Sequence, residues 1–205
     1  MLQAASQPQS FLLELPDSLG LYVSQEQFIA LAQANQDLRL ERTATGELIV
    51  NPPTGGVSGK RNFSITGQLN SWVEAHESLG EGFDSSTGFE LPNGADRSPD
   101  ASWVRCDRWE ALTLEEQEGF IPLCPDFVIE LRSKISKTDS LTKLQEKMQE
   151  YMDNGAQLGW LIDPQNKRVE IYRMGQAVEL LEQPSTLSGE NVLPGFTLML
   201  KCIWS

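Results

Sequence analysis

Apolar and polar residues alternate most cleanly in PDFVIELRS, residues 125–133, where Asp126, Val128, Glu130 and Arg132 fall on one side and Phe127, Ile129 and Leu131 on the other. A repeat of two residues is that of a β-strand. One face is wholly apolar; the other carries Asp126, Glu130 and Arg132. The Phe, Val, Ile and Leu residues predict a buried strand. An ionised carboxylate there is costly unless it is paired or binds a cation. A second Pro-Asp opens RSPDASWVRC, with Asp100, Ser102 and Val104 on one face and Ala101, Trp103 and Arg105 on the other.

The rest of the chain predicts elements around these strands. Ser24-Gln25-Glu26-Gln27 is a capping box opening a short helix that ends near Asn35, with Phe28, Ile29, Leu31 and Ala32 as its buried side. Leu38–Arg42 and Glu47–Val50 form a hairpin about Thr43–Gly46, and Asn51-Pro-Pro-Thr-Gly-Gly breaks the pattern. A helix runs from Ser58 to about Glu77 with Phe63, Leu69, Trp72 and Val73 near one face, and Gly80 to Gly82 ends that unit. Gly88–Pro92 is a short strand before the Asn93-Gly94 turn, and residues 107–121 make a charged, partly helical surface excursion. Asp139 suits the N-cap of a helix reaching Asp153, with Leu141, Leu144, Met148, Tyr151 and Met152 as its apolar stripe and Asn154-Gly155 closing it. Strands follow at Leu158–Ile162, Val169–Arg173 and Gln176–Leu181, then a last strand or docking segment in VLPGFTLML, residues 192–200. Runs of strands with helices between some of them predict a mixed sheet flanked by helices, in the α/β or α+β range. Residues 1–23 read as an amino-terminal extension and 24–205 as a single domain.

Composition narrows the function classes. A chain of 205 residues with 40% apolar residues fits one domain with a real core. A net charge of −13 opposes the broad basic surface of a general nucleic-acid coat protein, while leaving room for a local basic site. Cys106, Cys124 and Cys202 are odd in number and widely spaced, which fits neither a disulfide framework nor a zinc ribbon. They read as reduced, mostly buried thiols of a cytoplasmic protein. MLQAASQPQS has no signal-peptide pattern, and no apolar run is long enough to span a membrane. His76 is the lone histidine, which argues against zinc and against histidine-based nucleophilic schemes. The stretch Gly55–Lys60 glances at a phosphate loop with the wrong spacing, and reads as the loop leading into a helix. Trp103, Trp109, Trp160 and Trp204 read as core or interface residues.

The chemistry concentrates at the two Pro-Asp strands. If they are neighbours, Asp100 and Glu130 converge, and two carboxylates suit a hard divalent cation such as Mg²⁺. Lys147 flanks the apolar stripe of the next helix, where its stem can follow the core while its ammonium reaches the carboxylates. There it would orient or help deprotonate a water, or offset charge on a phosphorane-like transition state. Arg132 is a second candidate cation. Between residues 132 and 147 lie Arg132, Lys134, Lys137, Lys143 and Lys147 against Asp139 and Glu146, a local cationic rim of the kind a phosphodiesterase needs. From periodicity alone, the same carboxylates also read as strand residues bonded to backbone or to Arg132, Lys147 as a solvated rim residue, and Asp126 as a turn or cap residue.

Pro99-Asp100 followed by Glu130-Leu131-Arg132 resembles the PD-(D/E)xK nuclease core, with arginine where the motif has lysine. The strings PDFVIELRS and LQEKMQEYMDNGAQLGWLIDP, with LERTATGELIVNPPTGG, RSPDASWV and VLPGF, are similar to the Uma-two family of the restriction-endonuclease-like superfamily, from about residue 24 onward. The resemblance implies a restriction-endonuclease-like core, Asp100 and Glu130 as ligands of Mg²⁺ or Mn²⁺, and a lysine moved to the following helix, at Lys147. It also implies an added acidic residue, Glu41, from the amino-terminal hairpin, which reads more simply as the ion-pair partner of Arg39 or Arg42. Arginine keeps its proton, so Arg132 can neutralise charge but cannot act as a base. The expected function is Mg²⁺-dependent endonuclease cleavage of DNA by a homodimer. The alternative is a catalytically degenerate nucleic-acid-binding or assembly module on the same fold.

Overall fold

Two cores sandwich one mixed sheet. The computed structural model describes residues 20–133 and 140–205. In chain order the elements are α1 (Gln25–Ala34), β1 (Arg39–Arg42), β2 (Leu48–Asn51), α2 (Gly56–Ala75), β3 (Gly80–Asp84), β4 (Phe89–Glu90), β5 (Asp96–Arg97), β6 (Ala101–Arg105), α3 (Cys106–Trp109), α4 (Leu114–Glu118), β7 (Phe127–Leu131), α5 (Leu141–Asp153), β8 (Leu158–Asp163), β9 (Arg168–Arg173), β10 (Glu179–Glu182), β11 (Thr186–Ser188), β12 (Thr197–Met199) and α6 (Lys201–Trp204).

The central sheet has the order β10-β9-β8-β7-β6-β3, with a smaller sheet β2-β1-β5-β4 and a β11-β12 pair. Among the described residues, only the β7–β8 pairing in the central sheet is parallel. Parallel neighbours need a crossover, and α5 supplies it. All five residues of β7 are buried, so neither face of this strand meets solvent. Phe127, Ile129 and Leu131 join α2 and the carboxy-terminal segment in one core, where Trp160 stacks on Phe196 and meets Phe127 edge-on. Val128 joins Val104 and the α5 stripe of Leu144, Met148, Tyr151 and Met152 in the other. The alternation read in the sequence therefore divides two apolar cores rather than core from water.

The capping box of α1 forms, Ser24 with Gln27, but of the expected apolar side only Phe28 is fully buried. Gly55 sits at the N-cap of α2, so the glycine-rich stretch leads into a helix. Phe63 does not join that helix's buried face and is 82% exposed. The stripe is Ile65, Leu69, Trp72 and Val73; Phe63 precedes Ile65 by two residues, about 200° around a helix. Gly80 does not end a unit but opens β3. Its φ is +157°, and a Cβ there would stand 2.1 Å from the Val104 carbonyl oxygen, so only glycine lets the two backbones approach so closely. Asp139, expected as the cap of α5, lies outside the described residues; Ser140 caps that helix by accepting from the Lys143 N–H at 3.3 Å. All three thiols are free, but only Cys124 is fully buried, which corrects the expectation of mostly buried cysteines. No helix among the described residues is long and apolar enough to cross a membrane.

Candidate active site

Asp100 and Glu130 are placed by register. Ala101 pairs with Ile129 across the antiparallel β6–β7 ladder, so the next pair along is Asp100 and Glu130, on the face opposite Ala101 and Ile129. Two bonds hold Asp100 there: its N–H donates to the Ile129 carbonyl at 3.0 Å, and its Oδ2 accepts from the Leu131 N–H at 2.8 Å. Asp100 Oδ1 accepts from Asn62 of α2 at 3.2 Å and from Arg39 of β1 at 3.3 Å.

The smaller sheet and α5 complete the site. Lys147 extends from α5 between two carboxylates, its Nζ 2.8 Å from Glu130 Oε1 and 2.9 Å from Glu41 Oε1. Tyr151, one turn along, donates its hydroxyl to Glu130 Oε1 at 3.1 Å, and the Lys147 ammonium lies 5.8 Å from its ring centre. Glu41 comes from β1 and also accepts from the Ser98 N–H at 3.3 Å. Arg97 of β5 ties Glu41, at 3.5 Å, to Glu150 of α5, at 2.6 Å. The expected pairing of Glu41 with Arg39 exists only at 4.0 Å, and Arg42 instead binds Asp96 at 2.8 Å.

Burial sets the electrostatics. Glu130 is 3% exposed; the loss of water, with Asp100 and Glu41 beside it, raises its pKa, Lys147 offsets part of that rise, and the balance leaves it pushed up to about 7. Burial also pushes Glu41 up, but Lys147, Arg97 and Arg39 together hold it below the usual carboxylate range. Burial would lower Lys147, yet Glu130 and Glu41 hold it above its ordinary value. The amine therefore stays protonated.

These groups open onto a cleft of about 920 Å³ between the β1–β2 hairpin and α5, lined by Arg39, Glu41, Asp100, Glu130 and Lys147 among others. Among the described residues, seven acidic and four basic side chains line it. Arg132 stands apart from the carboxylates: its Nη1 binds Asp163 Oδ2 at 2.8 Å. Lys147 is spent between Glu130 and Glu41, and Lys134 and Lys137 lie outside the described residues. Asp126 is held structurally, by the Arg105 N–H and by Arg108, both at 2.9 Å. His76 caps α2, and its Nδ1 lies 2.8 Å from the Trp72 carbonyl oxygen.

Among the described residues, no group of three or more His, Cys, Asp or Glu side chains is arranged to hold a metal ion. The donor set fits a different arrangement. Asp100 and Glu130 are hard oxygen donors at the cleft, and the repulsion from Asp100 and Glu41, which adds to burial in raising Glu130, is what a divalent cation would relieve. Mg²⁺ is commonly held by one or two carboxylates, with water and substrate oxygens completing its shell. Sequence reasoning missed Asn62, Arg97 and Glu150, and named Arg39 only as an ion-pair partner of Glu41. Tyr151 was read only as part of the apolar stripe, though a polar group four residues after Lys147 was its signal.

A family model described as "Putative restriction endonuclease", Uma2, matches residues 25–201. Among solved structures, a crystal structure from Anabaena variabilis described as "a putative nuclease belonging to DUF820" matches with a TM-score of 0.66 and 23% identity, over 80% of this chain and 89% of that one. At that identity the likeness is one of fold. No curated protein matches the sequence. The family match runs through the hairpin, both carboxylate-bearing strands and the lysine helix, and the chain belongs to the Uma2 family of restriction-endonuclease-like proteins.

Proposed function

We propose that this protein is a Mg²⁺-dependent endonuclease that hydrolyses phosphodiester bonds of DNA. The observation that carries the reading is the convergence of Asp100 and Glu130 from adjoining strands on an open cleft, with the Lys147 ammonium 2.8 Å from Glu130. Asp100 and Glu130 would hold the cation, which polarises a phosphoryl oxygen and lowers the pKa of a bound water. Lys147 is protonated, so its part is to donate: it orients a water or neutralises charge gathering on the phosphorus oxygens. It is not the base. Glu41 holds the same ammonium at 2.9 Å, and Tyr151 fixes Glu130 Oε1. Arg132 belongs to the packing of the β7 and β8 ends rather than to the reaction.

The test is cleavage of a plasmid with Mg²⁺ or Mn²⁺ by the wild type and by Asp100→Ala. The expected result is nicking or linearisation by the wild type and a loss of about a hundredfold or more in the variant. Unchanged cleavage by Asp100→Ala removes the assignment.

One observation favours a second reading, a degenerate binding module: Lys147, Arg39 and Arg97 already neutralise the carboxylates from within. Calorimetric titration with Mn²⁺ separates the two. Binding that depends on Asp100 supports the nuclease, and no binding supports the module.

A further inference from the structure

We propose that Arg39 is the substrate-binding residue of the β1–β2 hairpin: its guanidinium rests on Asp100 in the free protein and passes to a backbone phosphate of the nucleic acid once a divalent cation takes Asp100. This rests on the metal-dependent reading above.

Among the described residues three cations pair with Asp100, Glu130 or Glu41, and two of them are committed. Lys147 is held at 2.8 and 2.9 Å by Glu130 and Glu41, with 12% of its side chain exposed. Arg97 is held at 2.6 Å by Glu150, with 9% exposed. Arg39 differs. It lines the cleft with 30% of its side chain exposed, and its nearest carboxylate oxygen is at 3.3 Å. Its Nε has no hydrogen-bond partner among the described residues, while Nη2 bonds the Ser98 carbonyl. Asp100 Oδ1 is shared with Asn62 at 3.2 Å, so it keeps a neutral donor if the guanidinium leaves. A cation bound to Asp100 repels a guanidinium beside it. Displaced, Arg39 presents a planar fork of donors to the cleft, a shape that matches two oxygens of a phosphodiester.

The experiment compares wild type, Arg39→Gln, Arg39→Lys and Asp100→Asn by Mn²⁺ calorimetry and by fluorescence anisotropy of a labelled duplex oligonucleotide in Ca²⁺. Thermal melts check that each variant is folded. Arg39→Gln is expected to bind Mn²⁺ at least as tightly as the wild type, because the competing cation is gone. Its oligonucleotide affinity should fall about tenfold, with the slope of log affinity against log salt smaller by about one. Arg39→Lys should fall between, keeping the charge and losing the fork. Weaker Mn²⁺ binding by Arg39→Gln with unchanged oligonucleotide affinity overturns the proposal and makes Arg39 a brace for Asp100. If Asp100→Asn binds Mn²⁺ like the wild type, or the wild type binds none, the metal-dependent reading fails and this inference with it. If Asp100→Asn abolishes Mn²⁺ binding but Arg39→Gln binds oligonucleotide like the wild type, only the inference fails.

Discussion

Asp126 and Glu130 stand four residues apart at opposite ends of β7, and the strand's alternation turns both to the same side. Both are almost fully buried. Asp126 is matched: one oxygen takes the Arg105 N–H and the other takes Arg108, each at 2.9 Å. Glu130 is overloaded. Asp100 lies across the ladder, Glu41 reaches in from the smaller sheet, and Lys147 is divided between Glu41 and Glu130. The strand places carboxylates at both ends equally well. The difference comes from what the rest of the chain brings to each. At one end the junction of β6 and α3 supplies a donor for each Asp126 oxygen. At the other, β1 and β6 bring two more carboxylates to Glu130 and α5 brings one ammonium shared between Glu130 and Glu41, beside an open cleft.

Removing one charge at each end gives the largest contrast. Glu130→Gln should lower Mn²⁺-dependent cleavage about a hundredfold or more. Asp126→Asn should leave cleavage at the wild-type rate and cost about 1–3 kcal/mol of stability by denaturant unfolding. The pH dependence sharpens the same contrast. Glu130 titrates at about 7 when folded, above the 4.5 of an unperturbed glutamate. Its contribution to stability is therefore complete below 4.5 and is lost as pH rises through about 7. Mn²⁺ affinity, which needs the ionised form, should rise over the same interval. Glu130→Gln should flatten the stability slope between pH 4.5 and 7. A slope identical to the wild type would mean that Glu130 is not the group titrating there.

Lys147→Met takes the comparison from charge to balance. It leaves Glu41 and Glu130 buried without their shared cation, and removing one partner of a buried pair costs about 3–5 kcal/mol. For a chain of this size the melting temperature should fall by on the order of 10 °C. An unchanged melting temperature would show that water or the neighbouring arginines replace the ammonium.

These results would test what the sequence could and could not convey. The β6 and β7 strands, the hairpin, α5 and the convergence of Asp100 with Glu130 were legible, because a two-residue alternation or a helical stripe is a local signal. Lys147 was reached from its place beside the α5 stripe, which read equally as a solvated rim, and Glu41 only through the family resemblance. The arginines were not legible. Arg39, Arg97 and Arg132 all sit beside or within short strands, and nothing local says which carboxylate each will meet. Arg132 finds Asp163 through the parallel β7–β8 pairing and Arg97 finds Glu150 of α5, both contacts set by tertiary packing. The strand β3 was hidden because Gly80, which usually signals a break, is required there by the close approach of Val104. Phe63 misled because an apolar residue near a stripe need not belong to it.

The smallest expected effect lies at the matched end. Arg108 is the charged partner of Asp126, but 31% of its side chain is exposed and Asp126 keeps the Arg105 N–H without it. Water can take the place of a guanidinium at that exposure, so Arg108→Ala should cost no more than about 1 kcal/mol, or roughly 2–4 °C in melting temperature, with metal binding and cleavage unaltered. The substitution removes the same kind of charge as Lys147→Met, one that faces a nearly buried carboxylate. If the two variants lost equal stability, the imbalance at Glu130 would have no energetic meaning. A gap of several degrees between them would show that the stress in β7 is confined to the end that faces the cleft.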